Sequence, residues 1–143
     1  MKTDVMFSSE REDWETPQDL FDKLDKMFAF ELDVCASAKN TKCQKFYTKE
    51  QNSLALPWAD RNWMNPPYGR AIGEFCRKAD EVGRGGGLTV ALLPARTDTR
   101  WFHDYCISWH VVFIRGRLRF RLPNGKTGSA PFPSMLVYFG VPR

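Results

Sequence analysis

Histidine is scarce here, with two residues in 143, and the four cysteines form no closely spaced pair. Cys35, Cys43, Cys76 and Cys106 stand 8, 33 and 30 residues apart. With no C-x-x-C, neither a zinc ribbon nor a thioredoxin-like redox centre is supported. The thiols read as reduced and mostly buried, as in a cytosolic protein. His103 and His110 lack companions at metal-ligand spacing, so no metal site is expected. No run reaches the roughly 18 apolar residues of a membrane span, and Met1-Lys2-Thr3-Asp4 lacks a signal peptide's apolar stretch. Gly83-Arg84-Gly85-Gly86-Gly87 invites a phosphate-loop interpretation. It lacks the G-K-[ST] ending, however, and precedes a strand pattern instead of opening a helix. Membrane, secreted and fibrous classes drop out. A cytoplasmic globular protein remains.

What is present argues for a substantial core. Apolar residues make up 43% of the chain and aromatics 14%, too many for disorder. The length suits one domain over 1–143, with residues 1–12 as a flexible polar lead-in. Charge is divided along it. Residues 1–60 hold 8 basic and 12 acidic side chains, whereas residues 61–143 hold 13 basic and 5 acidic ones. Such asymmetry suggests a polyanion on one side of the molecule, although a merely soluble basic surface gives the same count.

Periodicity outlines the elements. Thr16-Pro17 resembles a hydroxyl cap followed by proline at the first helical position, with Leu20, Phe21, Leu24, Met27 and Phe28 on a helical stripe. Alternation predicts a strand from Phe28 to Cys35 and a shorter one over Lys45–Thr48. Asn62–Asn65 reads as a strand end, then a proline-fixed turn, then a helix burying Ile72, Phe75, Cys76, Ala79 and Val82. Leu88–Leu93 suits a strand covered on both faces. Thr97 or Thr99 then caps a helix carrying Trp101, Phe102, Tyr105 and Cys106. Val111–Leu122 and Met135–Phe139 read as closing strands, with Asn124-Gly125 as a turn between them. That order predicts a three-layer α/β fold, mainly parallel with an antiparallel C-terminal end. Ligands of such sheets gather at the carboxyl ends of the strands.

Asn65-Pro66-Pro67-Tyr68 falls at such an end. Asn-Pro can be plain turn punctuation. It can also do chemistry. An exocyclic amine on a base is a poor nucleophile because its lone pair is delocalised into the ring. Two acceptors aimed at its two hydrogens favour the localised form that attacks. The Asn65 side chain and the Pro66 carbonyl are suited to that task as preorganised neutral dipoles. Pro66 and Pro67 fix φ near about −65°, which sets the carbonyl direction. Tyr68 offers a flat face for a base that has left its duplex.

The sequence resembles the N6-adenine DNA methyltransferases that use S-adenosylmethionine, and among them the small phage-type enzymes. The likeness runs from Trp14-Glu15-Thr16-Pro17 to Tyr138-Phe139. It includes Leu32-Asp33-Val34-Cys35-Ala36, Trp58, Asn65-Pro66-Pro67-Tyr68, Leu92-Leu93-Pro94-Ala95-Arg96-Thr97 and Arg115-Gly116-Arg117-Leu118-Arg119-Phe120. By that resemblance the fold is the Rossmann-like methyltransferase sheet, with cofactor and base sites side by side. Thr16 and Pro17 match the segment beside the methionine end of the cofactor. Asp33 stands where the family places an acceptor for the methionine ammonium, although a cap or surface acid would look the same. Asn52-Ser53-Leu54 replaces the Asp-Gly-Leu found near the cofactor's adenine in relatives, and Asn65 borders the same pocket. The glycine-rich loop after the first strand is missing. Cys35-Ala36-Ser37-Ala38 stands there, and Ala36 is small enough for close backbone approach.

The resemblance implies transfer of a methyl group to N6 of a flipped adenine in double-stranded DNA, with Arg96, Arg115, Arg117 and Arg119 on the DNA side. The four-residue motif also occurs in enzymes acting on other amines. RNA or a protein glutamine is therefore an alternative substrate, and a non-catalytic nucleic-acid-binding module an alternative role. There is no room for a separate sequence-reading segment. Target recognition falls to the loops Asp98–Asp104 or Asn124–Phe132, or to the second subunit of a homodimer. Arg115, Arg117, Arg119 and Arg121 alternate with smaller or apolar residues, so as a strand they would line one face. Four like charges in a row call for an anion such as phosphate, which paired arginine donors suit; an edge strand protected by charge is the alternative.

Overall fold

A computed structural model describes residues 14–122 and 124–143; the expected lead-in over 1–12 lies outside them. Helix α1 (Gln18–Phe28) forms on the apolar stripe and buries Phe21 and Leu24. Thr16 does not cap it. Pro17 takes the cap position, and no described side chain bonds the helix end. The helix closes on Ala29, whose φ of 51° is left-handed and whose N–H donates to the Asp25 carbonyl.

That reversal uses up residues expected in a strand. Strand β1 is only Leu32–Asp33, not Phe28 to Cys35. Phe28 and Phe30 serve ring packing instead, with Phe30 5.6 Å from both Phe21 and Trp63. Strand β2 (Lys45–Phe46) is likewise shorter than expected. Strand β3 (Arg61–Met64), helix α2 (Ile72–Arg84) and strand β4 (Leu88–Pro94) follow the apolar pattern. β4 is buried from Thr89 to Pro94, as a strand covered on both faces should be.

A wide helical turn, Phe102–Cys106, replaces the expected α-helix. Thr99 rather than Thr97 supports it, its hydroxyl accepting the Phe102 N–H at 3.3 Å. Strand β5 (Trp109–Phe113) follows. The expected strand over Val111–Leu122 is broken after Phe113, where Gly116 takes a φ of 75°. Only Arg119–Arg121 returns to extended form, as β6, and it pairs with β7 (Thr127–Ser129) in a separate hairpin. Asn124-Gly125 turns that hairpin, not the connection to the last strand β8 (Ser134–Pro142).

The main sheet has the order β2-β1-β3-β4-β8-β5. β1 to β4 run parallel, and β8 is antiparallel between β4 and β5. The fold is therefore α/β with a mostly parallel sheet, as periodicity predicted. All four cysteines are free, with Cys76 and Cys106 buried. No described helix is long and apolar enough to cross a membrane. The carboxyl ends of β1, β3 and β4 share one edge, which carries the site. At the opposite edge the glycine run packs backbone on backbone, for a Cβ on Gly83 would lie 2.8 Å from the Gly140 nitrogen.

Candidate active site

Asn65 follows β3 directly, and Asp33 ends the neighbouring β1. Between them opens a cleft of about 820 Å³, bordered by Thr16, Asp33, Ala36, Asn52, Asn65, Pro66 and Pro67. That is within the roughly 300–1,000 Å³ of ligand sites. Sequence residues far apart thus share one cavity. Pro17, Tyr68 and the candidate arginines do not border it.

The Asn65 amide is held by its nitrogen. Nδ2 donates to the Trp14 carbonyl at 2.5 Å and to Thr16 Oγ1 at 3.0 Å. A carbonyl can only accept, so Trp14 fixes which end of the amide faces it. Oδ1 is left buried without a partner among the described residues. Such an acceptor costs about 1–3 kcal/mol until a donor reaches it.

Asp33 is 3% exposed. Its Oδ1 accepts the Cys35 N–H at 3.2 Å and its Oδ2 the Lys42 N–H at 3.0 Å. Burial pushes its carboxyl up to about 7, against the two N–H groups and the Lys42 charge, which pull it down. A desolvated carboxylate beside a cleft is a seat for a cation. Lys42 is itself drawn down by burial, and its ammonium donates to Gln18 Oε1 at 2.7 Å.

The far wall is built by short turns. Asn52 adopts a left-handed φ of 52°, which asparagine tolerates. The Trp58 indole donates to the Ser53 carbonyl at 2.9 Å, fixing the Asn52–Leu54 segment. Ala36 is held by its N–H on the Tyr47 carbonyl at 2.9 Å.

Tyr68 departs from expectation. Its ring is 2% exposed, edge-on to Phe120 and Phe132, and its hydroxyl donates to the Leu92 carbonyl at 3.0 Å. Burial raises its phenol, and the nearby Arg96 charge opposes that rise. The ring expected to stack a base is thus buried among aromatic side chains in this structure. Arg115, Arg117 and Arg119 are exposed, but the turn at Gly116 separates Arg115 from Arg117, and of the three only Arg119 lies in β6. Arg119 and Arg121 flank buried Phe120, so alternation holds only within that short strand.

Sequence reasoning missed Trp14, Lys42 and Phe75 on the cleft wall. Lys42 is nine residues from the carboxylate it supports and belongs to no motif. Phe75 stands in the first helical turn after the proline pair, where a core stripe and a cleft wall coincide.

Comparison with known proteins decides the family. The sequence profile of DNA N-6-adenine-methyltransferase (Dam) matches residues 4–139. The chain belongs to that family. A DNA N-6-adenine-methyltransferase of Haemophilus phage HP1 (strain HP1c1) is 34% identical over 142 residues, covering 92% of this chain and 80% of its own. One from Escherichia phage T1 is 37% identical over 148 residues, covering 85% of this chain and 62% of its own. In this Dam-family chain Asn65, Asp33 and Thr16 share one cavity. Among the described residues no cluster could hold a metal ion.

Proposed function

We propose that the chain transfers a methyl group from S-adenosylmethionine to the exocyclic N6 of an adenine turned out of double-stranded DNA. The observation that carries this is Asn65. Its amide nitrogen donates to two acceptors, its carbonyl stands unmet, and the residue borders the same cleft as the buried Asp33. The order of the sheet, with an antiparallel strand next to last, suits a three-layer Rossmann-like methyltransferase fold.

The cleft suits the cofactor in chemistry and in size. Asp33 offers a carboxylate for an ammonium, and Asn52 an amide for an adenine edge. When bound, S-adenosylmethionine supplies an electrophilic methyl group on a sulfonium. Asn65 Oδ1 and the Pro66 carbonyl accept the two hydrogens of the substrate amine, localising its lone pair on nitrogen. Held by these two acceptors, the amine nitrogen would take up the methyl group and give up one proton to solvent. Preorganised acceptors of this kind are worth a few kcal/mol each, and alignment of two reactants about 7–11 kcal/mol.

Tyr68 is buried here, so stacking of the base on it requires its surroundings to open. Arg96 stands near that ring, and Arg115, Arg117 and Arg119 offer exposed charge for phosphates. The test supplies labelled cofactor and unmethylated duplex DNA, then identifies the labelled nucleoside after digestion. N6-methyladenine is expected. Label in RNA, in protein, in another base or nowhere overturns the proposal.

A further inference from the structure

We infer that Thr16 is a positioning residue for Asn65: its hydroxyl holds the amide so that Oδ1 alone faces the substrate amine. The inference rests on the methyl-transfer function proposed above, and deepens it. A threonine before a proline at a helix start is the pattern of a cap, yet α1 has no described side-chain cap. The hydroxyl is spent elsewhere. It accepts from Asn65 Nδ2 at 3.0 Å, in a residue that is 4% exposed.

Two consequences follow from the chemistry of an amide. First, rotation of the Asn65 side chain by half a turn would set Oδ1 against the Trp14 carbonyl, acceptor against acceptor. The Trp14 carbonyl therefore excludes the unproductive orientation, and the Thr16 hydroxyl anchors the amide in the other. Second, an amide whose two N–H groups are both donated is polarised towards oxygen, which strengthens Oδ1 as an acceptor.

The backbone holding Thr16 is itself fixed. Glu15 exchanges hydrogen bonds with Arg121 of β6 in both directions, N to O at 3.0 Å and back at 3.2 Å. The residues on either side of Glu15 thus reach Asn65 from a segment whose register is set by that bridge. Asn65 sits 49 residues from Thr16, so only the fold brings them together.

Thr16→Val keeps the shape and deletes the acceptor, whereas Thr16→Ser keeps the acceptor. Loss of one such bond should lower kcat by about tenfold or more in the valine variant. The serine variant should stay within about threefold of wild type. Affinities for S-adenosylhomocysteine and for duplex DNA, read by calorimetry and fluorescence anisotropy, should change less than about twofold in both. A second readout needs no turnover. In the ligand-free protein, hydrogen exchange at the Asn65 side-chain NH2, assigned by its loss in Asn65→Asp, should accelerate about tenfold in Thr16→Val and little in Thr16→Ser. Unchanged exchange in the valine variant overturns the inference, as does equal damage from both substitutions. A valine variant that loses cofactor affinity while keeping kcat also overturns it, and makes Thr16 a cofactor contact. A wild-type protein that methylates no adenine overturns the proposed function instead, leaving the exchange result to judge Thr16 separately.

Discussion

Asn65 concentrates two opposite conditions in one side chain: a nitrogen with every proton placed and an oxygen with none to receive. Replacing it with alanine should reduce kcat by at least about 10²-fold, while circular dichroism shows an intact fold. Unaltered turnover would take the motif out of the chemistry. Tyr68 now carries a different expectation from the one its sequence suggests. Because its hydroxyl serves Leu92 and its ring is packed, Tyr68→Phe should lower stability by about 1 kcal/mol, and Tyr68→Ala by about 3–5 kcal/mol, in urea titrations. Stability unchanged in both would mean that the ring is not core. Asp33 adds a pH signature. Its carboxyl titrates near 7 when buried and well below that when unfolded, so its contribution to stability is present at low pH and lost as pH rises through about 7. A cation bound there needs the ionised form. The gain in Tm from S-adenosylhomocysteine should therefore grow between about pH 6 and 7.5, and calorimetry in buffers of different ionisation enthalpy should register proton release. A pH-independent gain would separate Asp33 from the ligand. What the sequence disclosed at this scale was identity, not environment. Asp33 and Asn65 are recognisable by type and place, but no periodicity says that Lys42 supports one or that Thr16 grips the other.

At the scale of elements, patterns set by burial survived, and strands read from alternation alone were shortened or broken. β4 and α2 were legible because burial on both faces, or on one helical face, spans many residues. The apparent strand from Val111 to Leu122 was not, since alternation is blind to a single glycine turning the chain. The arginines beyond Gly116 therefore belong to a hairpin and its approach, not to the sheet. Arg121 lies 4.0 Å from Glu15, and the Glu15 backbone pairs with it, so it is partly committed within the molecule. Arg117 and Arg119 are the ones to replace. Their double substitution by glutamine should weaken DNA binding regardless of sequence and flatten the salt dependence by about two contacts, roughly 0.9 units of slope each. Affinity for S-adenosylhomocysteine should stay as it was. If the slope matches wild type, the hairpin charge serves solubility and the phosphates are met elsewhere.

Across the whole molecule, the cleft and the tightest backbone packing occupy opposite edges of one sheet. The order β2-β1-β3-β4-β8-β5 could not be read from the chain, because pairing between β4 and β8 is decided by packing over 40 residues of separation. The glycine run read as a loop has its reason there. Gly140 has a φ of 109°, and a Cβ on it would lie 2.3 Å from the Gly87 carbonyl oxygen. Gly140→Ala should destabilise by more than about 2 kcal/mol, seen as a lower urea midpoint. Activity per folded molecule should persist, because the cleft is at the other edge. Intact stability would mean that the backbones part readily.

The pairing of Glu15 with Arg121 joins positions more than a hundred residues apart, and so bears on when the molecule becomes competent. Contacts of such separation form late, after the loop they close has lost its freedom. A chain still emerging from the ribosome, with β6 still in the tunnel, carries the motif before Glu15 and Arg121 can pair. Its asparagine is free to rotate. Activity then belongs to the finished fold, and synthesis itself delays the first turnover.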